Sequence, residues 1–296
     1  MSPLKKKYNT KKISWLQCKH PSQENKQGIF SYMKDTFPNR RHWIKTANPN
    51  ITEIFQKYPR LIDYNGEMIN VEFQQMFDGL EDNFLTRFPA YYTPRIISYA
   101  KLHRRHVYEN VPISNEHMRA LIILAELLPD SNALQSRRGQ QVRKGKGKKR
   151  QYEDKEICIE SKAEQGGDSC SKFATGNNTR FLLQILPEGS NIQQFVESFI
   201  SSENTNVQPF IVCVRGQKKD KYFIQGDRWF IEVLNKADPI VSFDLLFKLF
   251  YVLNLSYPMS LNNFFNFIDF YIFKTTNKPN SVVASMHVNI ANCSIE

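Results

Sequence analysis

The stretch FIVCVRGQKKDKYFIQGDRWFIEV, residues 210–233, decides the fold class. It contains three short runs rich in β-branched and aromatic residues, Phe210–Val214, Tyr222–Ile224 and Trp229–Val233. Connections this short join antiparallel neighbours, because a parallel pair needs a crossover of a dozen residues or more. The apolar run Phe181–Leu186 adds one more predicted strand. These runs together predict a small antiparallel sheet.

Helical patterns follow the predicted strands. Asp238-Pro239 begins an apolar run of helical spacing, and Leu261–Phe273 predicts a last amphipathic helix. Helices beside a sheet bury their apolar stripes by packing on its face. We therefore expect a small α+β domain over residues 178–274 in which helices cover the sheet, followed by a polar tail over residues 275–296.

The first half of the chain predicts helices alone. Over residues 41–129, apolar residues recur at i, i+3, i+4 and i+7 in four segments that prolines delimit. The longest segment predicts one continuous helix and comprises Ile69, Phe73, Met76, Phe77, Leu80, Phe84 and Phe88. Another helix is predicted from the Ser114-Asn115 cap to Leu128. Four amphipathic helices in succession are typical of a compact helical bundle.

The net charge of +11 resides mainly in two segments. Residues 1–20 contain six lysines and no acidic residue, and residues 137–150, RRGQQVRKGKGKKR, contain eight basic residues and no acidic one. The rest of the chain therefore sums to −3. Because runs of like charge repel and stay solvated, we expect a disordered basic tail over residues 1–40 and a disordered basic linker over residues 130–177.

The basic linker is the one candidate binding segment that the sequence provides. Its basic residues are Arg137, Arg138, Arg143, Lys144, Lys146, Lys148, Lys149 and Arg150. Such a run attracts polyanions, because each neutralised phosphate releases a condensed counterion. The same composition is typical of a nuclear import signal. The expected partners are nucleic acid or an import receptor, and the alternative is a solubilising linker with no partner.

The cellular location follows from the apolar segments. The amino terminus has no secretory-type apolar stretch, and the most apolar window, Ile240 to Leu255, is interrupted by Asp244 and Lys248 and is too short to span a bilayer. We therefore expect no membrane contact, a nuclear or cytoplasmic location, and five cysteines that remain reduced thiols.

No metal site or cysteine nucleophile is favoured. His103, His106 and His117 provide too few zinc ligands, and arginines separate the first two. Cys158 and Cys170 do not form a Cys-x-x-Cys pair, and Cys213 in its apolar strand is expected to be a buried hydrophobe. We predict no metal and no cofactor.

Acidic residues offer the remaining route to catalysis. Two-metal phosphoryl chemistry would need several of them to meet in space, and the candidates are Asp63, Glu67, Asp78, Asp227, Asp238 and Asp244. Simpler functions are available, since Asp238 suits a helix cap and Asp227 a turn. No phosphate-binding or nucleophile-elbow motif occurs, so no residue is named as catalytic.

Aromatic residues beside lysines raise a further alternative. Single-stranded nucleic acid stacks its bases on exposed aromatic rings in a basic groove, and this chain places Lys218, Lys219 and Lys221 before Tyr222, Phe223, Trp229 and Phe230. Aromatic residues on half-buried strands are, however, ordinary core residues. We expect these rings to form core and the lysines to form a solvated turn.

Two segments carry a resemblance to a known family. Arg40-Arg41-His42-Trp43-Ile44 followed by Tyr58-Pro59-Arg60-Leu61, and the later run from Leu246 to Pro258, resemble the sterile-alpha-motif-domain-containing protein 3-like family. The resemblance spans roughly residues 38–273 and supports the layout of two folded parts. A sterile alpha motif itself is not seen before residue 38. The resemblance implies no established activity and no catalytic residues.

These patterns lead to one functional hypothesis and two alternatives. We expect a non-enzymatic nuclear interaction protein whose basic linker contacts nucleic acid or import machinery. The first alternative is a degenerate or domesticated mobile-element-derived enzyme with acidic residues that meet in space. The second is a purely protein-binding module that uses the edge of the 210–233 sheet or an exposed apolar patch.

Overall fold

The computed structural model describes residues 3–128, 179–200, 208–234, 238–276 and 278–295. The helices, in chain order, are α1 Pro3–Cys18, α2 Gln23–Ala47, α3 Ile51–Lys57, α4 Glu67–Met76, α5 Asn83–Arg87, α6 Thr93–His103, α7 Arg105–Asn110, α8 Glu116–Leu127, α9 Ile192–Ile200, α10 Ile240–Leu253, α11 Asn262–Phe267 and α12 Ser281–Ala291. The strands are β1 Leu183–Leu186, β2 Phe210–Val214, β3 Lys221–Gly226 and β4 Trp229–Val233. The predicted α+β class is confirmed.

The amino-terminal region differs from the predicted basic tail over residues 1–40. Helices α1 and α2 form here, and Ser22 caps α2 by accepting a hydrogen bond from the backbone N–H of Asn25. The two helices pack through an edge-to-face pair of Trp15 and Tyr32, with ring centroids 4.9 Å apart. The stripe that α2 buries was hard to detect because it includes polar side chains: Ile29, Met33, Thr36, Arg40 and Ile44.

The sheet is mixed rather than antiparallel throughout. Its strand order is β1-β2-β3-β4, and the pairs β2–β3 and β3–β4 are antiparallel as predicted. Strand β1 instead runs parallel to β2, with Leu183 opposite Ile211. The reason is the connection, because α9 lies between these strands and returns the chain to the end of the sheet at which β1 began.

Several predicted helices have different bounds. The continuous helix predicted from Ile69 to Phe88 is divided into α4, α5 and a π-helical segment, Phe88–Tyr92. The division occurs because Phe77 leaves the helical conformation, with a φ of −142° and a ψ of 72°, and Gly79 then turns the chain at a φ of +77°. Helix α8 follows its predicted cap, since the Asn115 side chain accepts a hydrogen bond from the N–H of Met118. The predicted polar tail over residues 275–296 instead contains α12.

One buried apolar cluster joins the two parts that the sequence predicted as separate domains. Phe73 of α4 lies against Phe247 of α10 and Phe273, with centroids 6.4 and 5.6 Å apart. Val283 and Ile290 of α12 belong to the same cluster and are fully buried. Residues 41–129 and 178–274 therefore share a core wherever the structure describes them.

A second, smaller cluster lies on the opposite face of the sheet. It consists of Leu186, Phe210, Val212, Val214 and Phe223. Ile192 and Phe195 of α9 pack on it, so the crossover helix covers this face. No helix in the described ranges has the length and apolar character needed to cross a membrane.

Candidate functional site

The predicted binding segment Arg137–Arg150 lies outside the described residues, as do Cys158 and Cys170. The histidines within the described ranges do not form a site. The His103 ring packs against Tyr99, and the Nδ1 atom of His117 lies 3.2 Å from the Thr93 hydroxyl. Among the residues that the structure describes, no group of three or more His, Cys, Asp or Glu residues is arranged to hold a metal ion.

The candidate acidic residues are dispersed rather than brought together. Their positions differ. Three of them form ion pairs: Asp63 with Arg60, Glu67 with Lys26 and Asp244 with Lys248. Asp238 accepts a hydrogen bond from the Ile240 N–H at the start of α10, Asp227 occupies a turn position at a φ of +45°, and Asp78 is exposed. They are therefore not arranged as the paired carboxylates that the enzyme alternative requires.

A buried ion pair joins α2 to α4. Arg40 has no exposed surface and contacts both carboxylate oxygens of Glu72, with its Nε atom donating to Oε2 at 3.0 Å. The guanidinium also donates to the Thr36 hydroxyl at 2.9 Å and to the Met33 carbonyl at 2.7 Å. Burial raises the pKa of Glu72, and the adjacent Arg40 opposes that rise. This cluster is closed to solvent and stabilises the helix contact.

The next residue, Arg41, joins α2 to the end of α10. Its guanidinium donates to the carbonyls of Tyr251 and Val252 at 2.8 and 3.1 Å. These carbonyls belong to the last turn of α10, where the negative end of the helix dipole favours a cation. The two segments that carry the family resemblance, one around Arg41 and one around Tyr251, therefore meet in the structure.

A surface cleft of about 360 Å³ lies where the β2–β3 turn approaches the N-terminal ends of α8 and α10. We call it the turn cleft. Its lining residues are Ser114, Asn115, Arg215, Gly216, Lys218, Lys219, Asp220, Tyr222, Val233, Leu234, Asp238 and Pro239. The lining brings together three basic side chains, two carboxylates and an apolar wall from residues 215–239 with Ser114 and Asn115, which lie about a hundred residues earlier in the sequence.

The turn that forms one side of the cleft is held by its own charges. Arg215 donates to an Asp220 carboxylate oxygen at 2.7 Å and to the Pro112 carbonyl at 3.1 Å. The other Asp220 oxygen accepts from the Gly216 N–H at 3.3 Å. A Cβ atom at Gly216 would lie 2.3 Å from the Lys219 carbonyl oxygen, so the tight path of this turn requires glycine. The turn therefore presents Lys218 and Lys219 at a fixed position.

Cys213 lies beneath this turn and is buried. Burial, together with the nearby Asp220 carboxylate, raises the pKa of the Cys213 thiol to about 11. Its hydrogen-bond partner Tyr222 also has a raised pKa, chiefly because of burial. Since the thiolate is the reactive form, a thiol that remains protonated at neutral pH is unreactive. The sequence interpretation of Cys213 as a small buried hydrophobe agrees with this position.

The opposite side of the cleft is built from two helix caps. An Asp238 carboxylate oxygen accepts from the Ile240 N–H at 3.0 Å and from the Asn115 side chain at 3.4 Å. The second Asp238 oxygen lies 3.7 Å from Nε2 of His117. Asp238 is therefore engaged by the N-terminal end of α10 and by the cap of α8.

The aromatic residues near the cleft do not offer a base-stacking surface. Tyr222, Phe223 and Trp229 are each less than a tenth exposed. Trp229 packs edge-to-face on Phe55, with ring centroids 4.7 Å apart, and Phe223 on Phe230 in the same manner at 5.8 Å. The interpretation of these rings as core is confirmed. The turn cleft itself was missed, because its walls come from distant segments and no sequence signal joins them.

Comparison with family models gives one match. The model of the sterile alpha motif domain-containing protein 3 helical domain matches residues 5–63, which hold α1, α2 and α3. This match supports the family resemblance and includes the segments Arg40–Ile44 and Tyr58–Leu61, but covers about a fifth of the chain. Comparison with curated proteins and with solved structures finds no match.

Proposed function

We propose that this chain is a non-enzymatic nuclear interaction protein whose basic segment, Arg137–Arg150, contacts nucleic acid or an import receptor. The observation that supports the proposal is the concentration of charge. Eight basic residues and no acidic residue occur within this segment, although the whole chain has a net charge of only +11. A polyanion gains counterion-release free energy from such a run.

The arginines and the lysine that are buried or hydrogen-bonded in the described part of the chain stabilise the fold. Arg40, Arg41 and Arg215 hold helices and turns together through carboxylates and carbonyls. Lys12 is 8% exposed and pairs with Asp35 at 2.5 Å. These cations already have protein partners, whereas the basic segment is a run of eight basic residues with no acidic residue among them in the sequence.

Localisation of the tagged full chain tests the import part of the proposal. A variant with all eight basic residues of Arg137–Arg150 changed to glutamine should lose nuclear accumulation. A matched control removes eight exposed cations of the folded part: Lys34, Lys45, Lys101, Arg104, Lys221, Arg228, Lys274 and Lys278. The control variant should remain nuclear. Nuclear accumulation that both variants retain would overturn the import part.

Binding of the full chain to a labelled DNA duplex tests the nucleic-acid part. If all eight cations contact phosphates, the logarithm of the association constant should fall with a slope of about −7 against the logarithm of salt concentration. The glutamine variant should lose most of this slope, and duplexes of different sequence should bind alike. A slope that the glutamine variant keeps would assign the binding to another surface.

A protein-binding function is the second candidate, and the turn cleft favours it. Leu234, which lines the cleft, is 62% exposed, so an apolar side chain lies beside exposed lysines. Large apolar side chains grouped with charges at a concave surface are typical of sites that bind other proteins.

A further inference from the structure

We propose that the turn cleft binds an acidic peptide segment of a partner protein, with Lys218 and Lys219 holding its carboxylates and Leu234 contacting an apolar side chain. This inference goes beyond the proposed function of the basic segment, because it depends on none of the residues between Arg137 and Arg150.

The positive side of the cleft includes two exposed lysines, Lys218 and Lys219. Arg215 donates to the Asp220 carboxylate and to the Pro112 carbonyl. Lys218 and Lys219 are both exposed, and neither has an ion pair or hydrogen bond within the described ranges. Two lysines at adjacent positions of a short turn therefore line the cleft without a partner among the residues that the structure describes.

The negative side of the cleft is largely compensated. Asp238 accepts hydrogen bonds from the first turn of α10 and from Asn115, so its charge is offset by a helix N-terminus and an amide dipole. Asp220 is likewise offset by Arg215. The cleft therefore presents a net attraction for carboxylates at the lysine side.

The shape and the apolar wall favour a peptide over nucleic acid. A volume of about 360 Å³ accommodates a few side chains, and Val233 and Leu234 line it with aliphatic surface. Bases would need exposed aromatic faces, whereas Tyr222 and Trp229 are buried.

The neighbouring edge of the sheet does not compete as the docking mode. Strand β4 is the last strand of the sheet, and the Asn65 side chain already donates to the Glu232 carbonyl at 2.9 Å. A peptide added as a new strand would have to displace this contact. Side-chain docking into the cleft requires no such change.

The test measures fluorescence anisotropy with a labelled Glu-Leu-Glu-Glu-Leu-Glu peptide. The full chain carries glutamine at all eight basic positions of Arg137–Arg150, so that this segment cannot bind the probe. In this background, Lys218→Gln/Lys219→Gln should weaken binding about tenfold at low salt, since each exposed charge contact contributes modestly. Leu234→Asn should weaken binding severalfold, and a peptide with lysine in place of glutamate should not bind.

The matched control is Lys34→Gln/Lys45→Gln, which removes two exposed lysines from α2 and changes the net charge equally. This control should leave peptide affinity within about twofold. An equal loss in both double variants, or no binding before substitution, would overturn the proposal. A single-stranded oligothymidine can be compared with unlabelled peptide as a competitor. If the oligothymidine competes more strongly and this competition is lost in Lys218→Gln/Lys219→Gln, the cleft binds nucleic acid and the proposal is overturned. Localisation does not enter this test, so its failure is distinguishable from failure of the proposed nuclear function.

Discussion

Two pairs of adjacent cations, Arg40-Arg41 and Lys218-Lys219, differ in their burial and in their hydrogen-bond partners. Arg40 is fully buried against Glu72, and Arg41 holds the end of α10. Lys218 and Lys219 are exposed at the tip of a turn and have no partner in the described part of the chain. The pairs look alike in the sequence, where each is two basic residues in a polar context.

The difference lies in partners that are distant along the chain. Glu72 is 32 residues from Arg40, and the carbonyl of Tyr251 is 210 residues from Arg41. A buried guanidinium is tolerated only because carboxylate and carbonyl oxygens replace its water. The ammonium group of a surface lysine stays hydrated, so it needs no protein partner and remains available to a ligand. A charge count therefore cannot separate cations that stabilise the fold from cations that can bind.

The largest predicted effect is the removal of one partner of the buried pair. Glu72→Ala leaves the Arg40 guanidinium buried without its carboxylate and should lower the free energy of unfolding by about 3–5 kcal/mol. Urea denaturation of the full chain measures this change. The partly exposed pair of Lys26 and Glu67 serves as the control, and Glu67→Ala should cost less than about 1 kcal/mol.

A double variant sharpens this prediction. Arg40→Met with Glu72→Leu replaces both charges by apolar side chains and should recover most of the loss, because it also removes the desolvation cost of the pair. If Glu72→Ala costs no more than Glu67→Ala, the contrast between buried and exposed cations is wrong.

The next largest effect is a pH dependence of the free energy of unfolding, which arises from Asp244 in α10. Burial raises the pKa of Asp244 to about 6, although Lys248 lies 2.5 Å away and opposes the rise. In the unfolded chain this pKa is about 3.9. The folded state thus binds the proton more tightly, and the stability contributed by this group falls as pH rises from about 4 to above 6, by about 3 kcal/mol in total.

Comparison with Asp244→Asn isolates this contribution. The asparagine is neutral throughout, so the variant should gain about 3 kcal/mol relative to the natural chain when the pH is raised from 4 to 7. Free energies of unfolding at each pH provide the measurement, with the exposed Asp78→Asn as the control. A difference between the natural and Asp244→Asn chains that does not vary with pH would contradict the raised pKa.

Local signals were sufficient for much of the fold. The cap at Asn115 predicted the start of α8, and the apolar run after Asp238 predicted α10, because each signal lies within a few residues of the structure it specifies. The short connections from β2 to β4 likewise predicted their antiparallel pairing. The parallel pairing of β1 was not predicted, since only the course of the chain through α9 decides it.

The helices α1 and α2 show why a high density of lysines does not by itself indicate a disordered tail. Lys12 lies beside Leu16 on α1, and its ammonium group pairs with Asp35 and lies 5.0 Å from the Tyr32 ring centroid. The long aliphatic part of a lysine can cover apolar surface while its charge finds a partner. The density of lysines therefore concealed a packed helix, and the turn cleft was equally hidden because its walls meet only in the folded chain.

The smallest predicted effect concerns the stability contribution of the turn lysines. Lys218→Gln and Lys219→Gln should each change the free energy of unfolding by less than about 0.5 kcal/mol, because neither ammonium group has a partner to lose within the described ranges. Urea denaturation of the single variants provides the measurement. Arg215→Gln in the same turn is the informative contrast, since it breaks the contacts with Asp220 and Pro112 and should cost more than either lysine change. A loss above about 1 kcal/mol for a lysine variant would mean that these cations stabilise the fold as Arg40 does, and they would then no longer be available to an acidic peptide.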